Sequence, residues 1–198
     1  MEKMKRPYVD FVRKCINFAS KFIELPRNIN VYFDDCPSNR FPTFNNAAEC
    51  DWKLSESSII INKQWLTNED KWNNHKYDIA FFVFHELRHL YQHQQIFRYE
   101  NNLKFTEDSS TINTWNKGFL NYIVNDGVDT QTANVTQEVE IDANAYAWCL
   151  VELLYLNNKS INKGISIPKE AMILADERSS VYFKTKNELR SYYLKSKK

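Results

Sequence analysis

The chain carries four histidines among its 198 residues, and two of them, His85 and His89, stand four apart with Glu86 between them. The run His85-Glu86-Leu87-Arg88-His89 fits the pattern H-E-x-x-H. On an α-helix, residues four apart share one face, one turn above the other. Two imidazoles so placed can converge on a single metal ion, with zinc the usual occupant, and Glu86 can reach a water held there. The rival reading is a helix with two core histidines. It leaves the glutamate between them without a natural place in a core.

A zinc ion that does chemistry takes three protein ligands and keeps one position open. His93 continues the spacing, but a rise of 1.5 Å per residue puts it about 12 Å from His85 along one helix. The metzincin pattern breaks the helix with glycine after the second histidine and ends in a third. Those two positions here are Gln92 and Gln95. His75 precedes the helix and offers less. None of Cys15, Cys36, Cys50 and Cys149 forms a C-x-x-C pair, which excludes a zinc ribbon.

Acids supply the better third ligand. Glu138, Glu140 and Asp142 open a helical stretch, 136–156, whose apolar stripe runs Val139, Ala143, Tyr146, Ala147, Leu150, Val151 and Leu154. Acids at a helix start can simply answer the helix dipole. Glu140, however, falls near Ala143, Asn144 and Ala147 on the packed side, where a carboxylate needs a partner. Asn144, one turn on, could accept the free ring N–H of a ligating histidine.

These residues resemble the gluzincin zinc metallopeptidases. The resemblance rests on His85-Glu86-Leu87-Arg88-His89 together with Glu140-Ile141-Asp142-Ala143-Asn144-Ala145-Tyr146-Ala147, similar to the family pattern E-x-x-A-[D/N]-x-[F/Y]-A. Within that group it is closest to the small ImmA/IrrE-type domains. The resemblance implies an α+β, helix-rich zincin-like domain with a small N-terminal β-sheet, an H-E-x-x-H helix and a second site helix. It implies one Zn2+ held by His85, His89 and Glu140, with Asn144 as companion. Peptide-bond hydrolysis would then use a water acidified by zinc, with Glu86 as general base. Tyr146, Tyr91, Tyr122 and His93 are the candidate oxyanion donors, and spacing does not choose among them.

The elements that must hold these groups follow from pattern. Residues 8–25 read as an amphipathic helix ended by Pro26. Residues 30–34 read as a strand, and 50–54 with 59–62 as a hairpin whose Ile59-Ile60-Ile61 run suits a doubly buried strand. Such a strand, just ahead of the H-E-x-x-H helix, can offer an edge to an extended substrate. A second helix start is signalled at Thr67–Asp70. The main helix is expected over 77–96, with Ile79, Phe82, Val83, Leu87 and Leu90 facing the core and Gln92–Gln95 emerging into solvent. Segment 97–135 is polar, with a helix expected over 113–124 and a wall or lid role. A short helix is expected from Pro168 to Ala175, and the tail from 179 to 198 reads as helical and ends basic.

Composition bounds the rest. One domain is expected over 1–198, with its core in 30–156 and a helical extension over 157–198. Three glycines and five prolines favour helix. A net charge of +1 argues against nucleic acid as the partner. No leader-like or membrane-spanning apolar run is apparent, which points to a cytoplasmic protein acting on a protein or peptide substrate. Three alternatives stay open: a catalytically silent, zinc-containing interaction or regulatory module; a helical binding protein without metal; and DNA association through the basic tail.

Overall fold

The computed structural model describes residues 4–41, 46–123, 133–154, 172–173 and 177. The chain divides into two compact units, Met1–Gln94 and Gln95–Lys198. The class is α+β: helices predominate, with one small mixed sheet.

In the first unit, helix α1 (Arg6–Ala19) starts with proline in its first turn, where the missing N–H costs nothing. It buries Val12, Cys15, Phe18 and Ala19. It stops well short of Pro26, because the Ser20 hydroxyl donates to the Asn17 carbonyl and the chain tightens through Ser20–Ile23. Strands β1 (Ile29–Asp34), β2 (Ala48–Asp51) and β3 (Ser57–Asn62) form a sheet in the order β1-β3-β2. β3 pairs parallel with β1, Val31 opposite Ile59, and antiparallel with β2, Cys50 opposite Ile59. All six β3 positions are buried, the polar Ser57, Ser58 and Asn62 at its ends as well as the three isoleucines, as suits a strand covered on both faces. The isoleucine strand is therefore central and hydrogen-bonded on both sides. It has no edge to offer a substrate; that place belongs to β1 and β2.

Short helices α2 (Lys63–Leu66) and α3 (Glu69–Asn74) follow, each started by an asparagine. The Asn62 side chain accepts from the Trp65 N–H and the Asn68 side chain from the Lys71 N–H. Helix α4 (Lys76–Glu100) is 25 residues long. Its first turns are buried at Ile79, Ala80, Phe81, Val83 and Phe84. Phe84 meets Phe18 of α1 at 6.0 Å between ring centres, and Phe82 meets Trp65 edge-on at 5.4 Å. These contacts fix the rotation of α4 immediately before His85. All four cysteines are free, and burial pushes the Cys15 thiol up to about 12, so it packs as an apolar group.

In the second unit, α5 (Ser109–Leu120) is capped by Asp108, whose carboxylate accepts from the Thr111 N–H at 2.8 Å. It begins and ends a few residues earlier than periodicity suggests, so Tyr122 and Ile123 lie beyond its end. Helix α6 (Glu138–Leu154) is buried nearly all round, from Val139 through Val151. Gly118 lets the two helices close: a Cβ there would sit 2.9 Å from Cγ1 of Val139. Of the helix expected over Pro168–Ala175 only Met172 and Ile173 are described, and both are helical; the basic tail lies outside the described residues. No described helix is long and apolar enough to cross a membrane.

Candidate metal centre

The buried entry of α4 delivers His85, Glu86 and His89 one turn further along. Their Nε2 atoms, His85 to His89, are 3.0 Å apart. Two nitrogens bound to one tetrahedral zinc at about 2.05 Å would stand about 3.3 Å apart. The pair is thus close to the separation of two metal ligands. His89 and Glu86 are buried, while His85 keeps some exposure.

The tautomer of His89 follows from its neighbour. Its Nδ1 lies 2.8 Å from Oε1 of Gln92. An amide oxygen only accepts, so the ring proton is on Nδ1 and Nε2 carries the lone pair. Gln92 is fully buried, as is Gln95, whose Oε1 accepts from the N–H of Thr106 at 2.8 Å and from its hydroxyl at 3.2 Å. The segment Gln92–Gln95 therefore does not emerge into solvent as its polarity suggests. The amide oxygens of its two end residues have partners there, whereas Nε2 of Gln95 is buried without a hydrogen-bond partner among the described residues. A signal for Gln92 was present: it lies three residues after His89, on the same helical face.

Glu140 is buried at 6% exposure in the first turn of α6. Glu138 is exposed, so only that acid behaves as surface dressing of the helix start; Asp142 is fully buried. Ligand atoms of His85, His89 and Glu140 all lie within 4.8 Å of one another. This group could hold one metal ion. The donor set suits it: two imidazoles and a buried carboxylate match the His2Glu ligand class of zinc, and a cation answers the carboxylate's need for a charge partner.

The other sequence candidates fall in different places. Asn144 is buried one turn beyond Glu140, and Gln92 faces Nδ1 of the His89 ring. Tyr91 is buried beneath the Arg88 guanidinium, 4.6 Å from its ring centre. Tyr146 is buried on α6. His93 stacks on Trp52 at 6.2 Å, and burial, aided by His89, lowers its pKa to about 4. Tyr122 donates its hydroxyl to Oε1 of Glu140 at 2.6 Å. His75 lies with Asp70 and Tyr77 instead of with the other histidines.

Glu49 was not singled out by its sequence setting. It sits on β2, pairs with Arg40 at 3.3 Å, and its pKa is raised by burial first, with repulsion from Glu86 adding to it. Glu49 on β2 is thus within electrostatic reach of the candidate base. No protein-family model, no curated protein and no solved structure matches this chain.

Proposed function

We propose that this chain is a zinc-dependent peptidase of gluzincin type, with His85, His89 and Glu140 as ligands and Glu86 as general base. One observation carries the reading: the ligand atoms of those three residues lie within 4.8 Å of one another, with a buried Glu86 adjoining the first of them in sequence. Bound there, zinc would supply Lewis-acid chemistry, polarising a carbonyl and acidifying a water.

The chain's own groups do the rest. Gln92 holds the His89 proton on Nδ1 and so keeps Nε2 available. Glu86 takes the proton of the attacking water as the new C–O bond forms. It returns that proton to the departing nitrogen as the C–N bond breaks. Strand β2 lies at one end of the sheet order and carries Glu49, which feels the charge of Glu86. An extended peptide laid along such an edge would gain main-chain hydrogen bonds.

The test compares the parent with Glu86→Gln, by elemental analysis and by digestion of a peptide library. The reading expects one zinc per chain in both and cleavage in the parent alone. Equal cleavage by both, or a parent without zinc, overturns it. Zinc without cleavage in the parent makes the chain a metal-containing module without peptidase activity.

A further inference from the structure

Tyr122 lies just past the end of α5, partly exposed, yet its hydroxyl reaches the buried Glu140 at 2.6 Å. Side-chain amides hold the segment around it. Gln137 accepts the Ile123 N–H on Oε1 at 2.8 Å and donates from Nε2 to the Ile123 carbonyl at 3.0 Å. Asn134 donates to the same carbonyl at 2.7 Å and to the Tyr122 oxygen at 3.3 Å. Two amides just ahead of α6 therefore clasp the residue after Tyr122, and one of them also donates to the phenol oxygen. A phenol that accepts a hydrogen bond becomes a better donor, because chained hydrogen bonds polarise one another. The Tyr122 ring lies on Phe119, 6.4 Å between centres and nearly parallel, so its place does not depend on the hydroxyl alone.

We propose that Tyr122 is a positioning residue: its hydroxyl, set by the clasp of Asn134 and Gln137, orients the Glu140 carboxylate for metal binding. This rests on the reading of His85, His89 and Glu140 as ligands. The phenol occupies one lone pair of Oε1, restricts rotation of the carboxylate, and leaves its remaining lone pairs for the ion. Partners of this kind, standing behind a ligand, typically change metal affinity 10- to 100-fold when removed.

The experiment measures Zn2+ affinity by chelator competition and the visible spectrum of the Co2+ form. The variants are Tyr122→Phe, Gln137→Ala and the double change, with melting of the metal-free proteins as the folding control. Tyr122→Phe keeps the ring on Phe119 and is expected to weaken Zn2+ binding about tenfold or more and to alter the Co2+ spectrum. Gln137→Ala, acting through the hydroxyl, is expected to weaken binding less, and to add nothing in the Tyr122→Phe background. Parent-like affinity and spectrum in Tyr122→Phe overturn the proposal, as does a Gln137→Ala effect that persists undiminished without the hydroxyl. If Tyr122→Phe fails to fold, an unchanged affinity and spectrum in Gln137→Ala overturn it instead. A parent that binds neither metal overturns the ligand reading itself.

Discussion

The Nδ1 of His89 faces the Oε1 of Gln92 across 2.8 Å on one face of α4, both residues buried. That contact decides which nitrogen of His89 offers its lone pair. Replacing Gln92 with leucine leaves a buried ring N–H without its acceptor and frees the imidazole to rotate or change tautomer. Zn2+ affinity is expected to fall 10- to 100-fold, about 1.4 to 2.7 kcal/mol. Chelator competition on parent and Gln92→Leu measures it. Equal affinities would mean that packing alone orients His89.

Metal removal gives a second, independent reading. A ion that binds only the folded chain stabilises it by about 2.7 kcal/mol at a hundredfold excess over its Kd. For a protein of this size 1 kcal/mol shifts Tm by about 2–4 °C, so a rise of roughly 5–11 °C is expected on adding Zn2+. A chelator should reverse it. His89→Ala should melt at the same temperature with and without Zn2+, because the imidazole pair is broken. A full zinc shift in His89→Ala would place the binding elsewhere.

What the sequence made legible, and what it hid, follows from how local each signal is. The H-E-x-x-H face and the helix start at Thr67–Asp70, where Asn68 caps α3, depend on neighbours within a turn, and such spacing is written into the chain; the caps Asn62 and Asp108 are as local, but strand-like and polar surroundings masked them. Glu140 stood out because its helix buries almost every neighbour, leaving an acid where an acid is costly. Gln95 was obscured because its partner, Thr106, lies eleven residues away. A buried amide and an exposed one have the same letters. The place of β3 was hidden for the same reason: its six residues announce burial, but the sheet order that puts β1 on one side and β2 on the other is long-range. The end of α1 at Ala19 shows a turn formed by Ser20 overriding apolar spacing that continues to Ile23.

Gly118 tests the packing that carries Tyr122. Alanine is the better helix former by about 1 kcal/mol, so an open site would gain from Gly118→Ala. Here the new methyl would meet Cγ1 of Val139 at 2.9 Å. Val139 is fully buried and β-branched, so it has little freedom to turn away. Overpacking of this kind costs about 1–3 kcal/mol, and the net change is expected to be a loss of roughly 1 kcal/mol. The urea midpoint of the metal-free protein should fall, as measured by equilibrium unfolding. A higher midpoint would show that α5 and α6 separate without cost.

His93 makes stability depend on pH, and the sign is fixed by its environment. Burial, and then the nearby His89, lower its pKa from 6.5 to about 4. The folded chain therefore holds this ring neutral where the unfolded chain would protonate it. The contribution is fully present above pH 6.5 and is lost as pH falls toward 4. The interval, at about 1.36 kcal/mol per pKa unit, corresponds to at most about 3 kcal/mol, reduced by whatever solvent reaches the ring. Phenylalanine at this position cannot protonate and keeps an aromatic face against Trp52, with which His93 now stacks at 6.2 Å. Urea unfolding of the metal-free parent and His93→Phe, at pH 7.5 and pH 5, isolates the effect, since the two proteins differ at this ring alone. The parent should lose more stability between the two conditions than the variant. Parallel losses would mean that His93 is protonated in the folded chain as readily as in the unfolded one.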